Sequence, residues 1–161
     1  MLLTMVIALP ALIIHHGQSF IKHHQGLQPA DRLPPGMLES LEGEVVNIDS
    51  WRGFPTLLVL FSSSCPACQA QIEDLAALKE QMHELNIVLV SIDGAGPKTT
   101  TAFNVYLDPT GEFLRRTQKI MVPTLYWIDT DGLVRYAASG RRPFSANLSF
   151  SRALLSEGKL P

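Results

Sequence analysis

The sequence predicts an α/β domain built on a mixed central sheet with helices on its faces. Three observations carry that expectation. A βαβ pattern runs from Thr56 to Ile92, and a ββα pattern runs from Thr124 towards the C-terminus. A single Cys-x-x-Cys stands where the first of these strands gives way to a helix.

The chain opens on Met1 to Ile14 (MLLTMVIALPALII), which is nearly all apolar and broken once by Pro10. That is short for a membrane-spanning helix of about 20 residues and close to the length of a signal-peptide core. No basic residue precedes it and no clean small-x-small site follows it. It reads as a hydrophobic membrane anchor or an export signal. Residues 15–38 read as a linker, because Gly, Gln and Pro29, Pro34 and Pro35 oppose a compact element. His15, His16, His23 and His24 lie in it, and the two pairs are too far apart for one tight metal site. Residues 39–161 read as the folded domain.

Within that domain, Glu44 to Asp49 (EVVNID) reads as a short strand. Thr56 to Phe61 (TLLVLF) is a continuous apolar run, the pattern of a strand covered on both faces. Pro66 to about Leu85 reads as a helix, with Ile72, Leu75, Leu78, Met82 and Leu85 at three- and four-residue spacing. Ile87 to Ile92 (IVLVSI) is a second buried strand, and a strand, helix, strand order implies a parallel pair. Thr124 to Asp129 (TLYWID) and Leu133 to Ala138 (LVRYAA) flank Asp131-Gly132, a strong hairpin signal. From Pro143 onward a terminal helix is expected, with Leu148, Leu154 and Leu155 inward.

Composition narrows the function. Hydrophobic residues make up 46% and charged residues 17%, enough for a core and too little charge for a disordered chain. The net charge of -2 lacks the basic surplus of a nucleic-acid binder. The only two cysteines are Cys65 and Cys68. A zinc site needs about four ligands. The nearest candidate, His83, would lie about 22 Å from Cys68 along a shared helix. A scaffold disulfide closing so short a loop constrains little. Redox chemistry remains.

The position of the motif matters more than its pattern. Cys65 falls at the helix N-cap, where free backbone N–H groups and the helix dipole favour an anion. Thiolate is the nucleophile of disulfide exchange, so this placement activates Cys65. Pro66 suits the first helical position, where its missing N–H costs nothing. Cys68 falls one turn on, placed to attack a mixed disulfide and release the substrate. Ser62, Ser63 and Ser64 keep the approach small and polar.

The run from Leu41 to Gly140 resembles the thioredoxin superfamily, specifically its exported, often membrane-tethered TlpA/ResA-like branch. The likeness lies in LEGEVVNIDSWRGFPTLLVLF, SSSCPACQ, YLDPTGEF and MVPTLYWIDTDGLVRYAASG, in that order. The SxxCPxC pattern is also similar to the accessory thioredoxin of methylamine dehydrogenase maturation. The resemblance implies a thioredoxin fold with Cys65 and Cys68 catalytic and with no cofactor or metal. It implies that Pro123 is a cis-proline and that Val122, Pro123, Pro66 and Ala67 face the substrate. It further implies protein partners that carry cysteines or disulfides, a membrane redox partner and a place at the extracytoplasmic, periplasmic face.

Three departures stand out. Val59 occupies the place of a buried Asp found in many thioredoxins, and Gln71 that of a Glu found in many TlpA/ResA-like proteins. Glu73 is near in sequence but reads as a solvated helix residue. Ser64 stands where a Trp is common, and the stretch from Ile92 to Val105 leaves little room for the helix usual there. The expected function is thiol–disulfide exchange. The alternatives are a docking or maturation factor for another exported enzyme and a copper-handling module of similar fold, since two thiolates suit a soft ion. A peroxidase is the weakest reading, because no matching surround accompanies the cysteines.

Overall fold

The structure, a computed structural model, describes residues 26–99, 102–118 and 121–157. The apolar N-terminal segment and His15, His16, His23 and His24 lie outside the described residues. Seven strands form one mixed sheet: β1 (Met37–Ser40), β2 (Val45–Asn47), β3 (Thr56–Phe61), β4 (Asn86–Ser91), β5 (Asn104–Leu107), β6 (Thr124–Ile128) and β7 (Val134–Ser139). Three helices join them: α1 (Pro66–Gln81), α2 (Glu112–Thr117) and α3 (Phe144–Glu157). The spatial order is β2-β1-β5-β4-β3-β6-β7. β3 pairs with β4, and β4 with β5, in parallel, whereas the remaining neighbours are antiparallel.

β3 is central because its side chains are apolar on both faces. Successive side chains of a strand point to opposite sides of the sheet. Leu57, Val59 and Phe61 therefore meet the α1 residues Ile72, Leu75 and Leu78 in one core. Leu58 and Leu60 meet Leu38, Ile48, Trp51 and Phe113 in the other. α3 closes the first core through buried Leu154, with Leu148 and Leu155 packed beside it, as their spacing predicts.

The expected elements are present with shifted ends, and the differences have local causes. The strand expected over Glu44 to Asp49 is cut to Val45–Asn47, because the Asn47 side chain accepts from Asp49 N–H and turns Ile48–Trp51 into a 3₁₀ turn. α1 stops at Gln81 rather than near Leu85. Met82 leaves helical geometry at φ -129 and ψ 64, while Lys79 Nζ donates to the Leu85 carbonyl at 2.8 Å. The linker expected over residues 15–38 is, from Leu27 on, part of the packed body. Leu27, Leu33 and Leu38 are buried, and Arg32 bridges to Leu133.

β1, β5 and α2 were not expected. The stretch between Ile92 and Val105 carries no helix among its described residues, in keeping with its length. It delivers the chain to β5 instead. The Asp131-Gly132 turn forms as expected. Asp129 Oδ1 accepts from the backbone of Asp131 at 3.0 Å and of Leu133 at 2.9 Å, and Gly132 takes a φ of 80.

Candidate active site

β3 and β4 run parallel with Phe61 opposite Ser91, so the two chains leave the sheet side by side. Loops beyond the carboxyl ends of adjacent parallel strands are where ligands meet an α/β sheet. The loop after β3 is Ser62–Ser64, and it ends in Cys65.

Cys65 is the N-cap of α1, with φ -90 and ψ 109, and Pro66 follows at the first helical position. Cys68 N–H donates to Cys65 Sγ at 3.1 Å, and the Cys65 carbonyl accepts from Cys68 at 3.0 Å and Gln69 at 3.2 Å. The sulfur of Cys65 thus shares with its own carbonyl one of the amide donors of the helix start. The two cysteines are joined in a disulfide, with 5.2 Å between their Cα atoms. Their surroundings differ: Cys65 is half-buried, whereas Cys68 is fully buried in the core beneath it. Pro66 and Ala67 are exposed at the helix start. One sulfur is open to a partner and the other is sheltered, which is the asymmetry a two-step exchange needs.

The Val122–Pro123 peptide is cis. Val122 is half-buried and packs, like Cys65, against the core beneath α1. Pro123 is buried at the entrance to β6, and its carbonyl accepts from Gly140 at 2.8 Å. Before it, Met121 is exposed to 56%, an apolar side chain that the sequence reading passed over.

The departures resolve as follows. Val59 is a fully buried core residue. Gln71 is fully buried one turn beyond Cys68, and its Oε1 accepts from Arg142 N–H at 2.6 Å. Glu73 is exposed, as expected of a solvated helix residue. Among the described residues the buried polar side chains include no Asp or Glu. Cys68 itself sits in the apolar cluster of Val59, Phe61, Ile72 and Leu75.

The sequence reading missed Asp93. Just past β4, its Oδ2 accepts from Ser62 Oγ at 2.8 Å, Ser63 N–H at 2.8 Å and Ser63 Oγ at 2.9 Å. Its Oδ1 accepts from Ser91 Oγ at 2.8 Å. Burial acts to raise its pKa, but hydrogen bonds from Ser62, Ser91 and Ser63 outweigh that and hold it well below the ordinary carboxylate range. The carboxylate is ionised at neutral pH and acts only as an acceptor. The available signal was positional: an Asp just past a strand that runs parallel to the one bearing the cysteines. Among the described residues no group of three or more His, Cys, Asp or Glu is placed to hold a metal ion.

Residues 29–137 match the AhpC/TSA family. The chain belongs to that family, within the thioredoxin superfamily. An uncharacterized protein of Haemophilus influenzae is 29% identical over 109 residues, which span 58% of this chain and 69% of that one. Three solved structures share the fold of this AhpC/TSA domain. The first is a Chlorobium tepidum protein described as thiol:disulfide interchange protein DsbE. It has a TM-score of 0.69 and 22% identity, and the match covers 82% of this chain and 98% of that one. StoA of Bacillus subtilis follows with a TM-score of 0.60 and 20% identity, covering 76% and 99%. A secreted disulfide oxidoreductase of Mycobacterium tuberculosis has a TM-score of 0.65 and 17% identity, covering 74% and 96%.

Proposed function

We propose that this chain is a thiol–disulfide oxidoreductase that exchanges dithiol for disulfide with protein cysteines outside the cytoplasm. The observation that carries the reading is the pairing of a half-buried N-cap Cys65 with a fully buried Cys68 in one disulfide. In the reducing direction the Cys65 thiolate attacks a client disulfide and one client sulfur leaves as thiolate. The Cys68 thiolate then attacks Cys65 Sγ, the second client sulfur leaves, and the Cys65–Cys68 disulfide forms. Two electrons pass to the client, and a donor must return them. Run backwards, the same steps place a disulfide in the client.

Val122, Pro123, Pro66 and Ala67 form the docking face in this reading. Val122 and the cysteines share one core, and Pro66 and Ala67 are exposed at the helix start. The apolar Met1–Ile14 segment supports an exported or membrane-anchored protein, and with it a membrane redox partner. The Chlorobium and Mycobacterium proteins named above carry disulfide activities in their descriptions, which supports the same chemistry.

Equilibration of the full chain against glutathione and dithiothreitol buffers tests the proposal. The expected midpoint lies between about -270 mV, typical of thioredoxin-like reductants, and about -120 mV, typical of strong oxidants. A value at the reducing end makes the protein an electron carrier fed from a membrane donor, and one at the oxidising end makes it a source of disulfides. A midpoint below about -300 mV, the range of structural disulfides, would sink the redox reading.

A further inference from the structure

The turn that carries Cys65 is held from outside its own strand by one carboxylate. Ser62, Ser63 and Ser91 converge on Asp93 with four donors between 2.8 and 2.9 Å. An exposed Asp is ordinarily solvated by water, so this number of protein donors on one side chain is organised. The constraint passes along the chain. Ser64 N–H donates to Ser62 Oγ at 3.2 Å, and the Ser62 and Ser64 hydroxyls are 2.9 Å apart. Cys65 N–H donates to the Ser62 carbonyl at 3.2 Å. Gln69 Nε2 reaches the Ser63 carbonyl at 3.4 Å, tying the same turn to the first turn of α1.

We propose that Asp93 is a positioning residue for the exchange reaction: by gripping Ser62 and Ser63 it holds Cys65 at the N-cap, with its sulfur on the Cys68 amide. The inference rests on the redox reading of Cys65. Two effects of the carboxylate oppose each other. Its charge disfavours a nearby thiolate, and its grip on the turn favours one by keeping the sulfur on the helix amide. At a solvent-exposed site the charge is strongly attenuated. The grip acts through four charge-assisted hydrogen bonds at 2.8 to 2.9 Å, a contact distance that leaves no room for intervening solvent, so positioning wins.

The test uses the full chain in its reduced form, following the ultraviolet absorbance of the Cys65 thiolate with pH and the rate of exchange with a disulfide-bonded protein. In Asp93→Ala the thiol titration moves up by about half a pH unit or more, the scale of the lost N-cap and dipole interaction. Exchange slows by about tenfold or more, as expected of a displaced reacting atom. Asp93→Asn keeps the length and one acceptor oxygen and falls between Asp93→Ala and wild type. Ser62→Ala combined with Ser63→Ala removes donors from the other side and shifts the titration the same way. That pair decides the matter if Asp93→Ala does not fold.

Titrations unchanged in folded variants, or a Cys65 pKa that falls in both Asp93 variants, overturn the inference; the latter shows that repulsion alone acted. If the wild type exchanges no disulfides, the redox reading fails, while the thiol titration still judges Asp93.

Discussion

Cys65→Ser abolishes exchange with a disulfide-bonded protein, lowering the rate by about 10³-fold or more, the scale seen when a covalent nucleophile is removed. Ser at this N-cap keeps the side-chain acceptor for the Cys68 amide, so the helix start survives and the loss is chemical. Cys68→Ser behaves differently. Cys65 still attacks, but no second sulfur waits one turn below it, and the mixed disulfide with the client accumulates. Mass spectrometry and non-reducing electrophoresis distinguish the two variants, and the trapped client identifies the substrate. The freed Cys65 in that variant reports its own pKa without a partner sulfur. Exchange at the wild-type rate by Cys65→Ser would refute the assigned roles. Failure of Cys68→Ser to retain any client would remove Cys68 as the resolving thiol.

The parts of the fold legible in the sequence were those with strong patterns. The unbroken TLLVLF run has the pattern of a strand covered on both faces, and β3 is that strand. The spacing of Ile72, Leu75 and Leu78 fixed the inner face of α1, and Asp131-Gly132 fixed the hairpin. What escaped was short or held together by distant partners. β1 and β5 have four residues each, too few for a period to emerge, and each is made a strand by its neighbours in the sheet, β1 by β2 and β5, and β5 by β4 and β1. α2 has six residues and starts where the Asp108 carboxylate accepts from Leu114 N–H at 2.9 Å, a contact no periodicity announces. Leu27 and Leu33 lie among prolines and polar residues, so their burial comes from the hairpin they cover. The Leu33 amide donates to the Gly132 carbonyl at 2.9 Å.

The same division holds at the site. The positions of Cys65, Pro66 and Cys68 at the start of α1 were legible because N-cap chemistry is local. The cis peptide at Pro123 came from the resemblance, supported by its place directly before a strand that leads into the Asp131-Gly132 hairpin. Asp93 is 28 residues past Cys65 in the chain, and only the parallel register of β3 and β4 brings it to the serine turn. Functional groups that act through a loop's shape are found by tracing hydrogen bonds back from the reacting atom.

Trp127→Ala is expected to destabilise the domain by about 3–5 kcal/mol while leaving the chemistry of the folded fraction near wild type. Trp127 is fully buried in β6, its ring lies 5.0 Å from that of Phe150, and its Nε1–H donates to Ser151 Oγ at 3.0 Å. Truncation removes the largest side chain buried between the sheet and α3. It opens a cavity that fixed strands on either side cannot close. For a domain of this size the loss lowers the melting temperature by about 10 °C. Ser151→Ala strips only the hydrogen-bond partner from a buried indole and costs less, about 1–3 kcal/mol. The site is spared because Trp127 pairs with Leu57, four residues before the end of β3, and so lies about 13 Å along the sheet from the cysteine loop. Thermal unfolding and exchange rates measured on the same samples check both halves. A melting temperature within a degree or two of wild type would show that α3 is not held through this contact. A large loss of exchange in folded protein would show that the sheet transmits strain to Cys65 along its length.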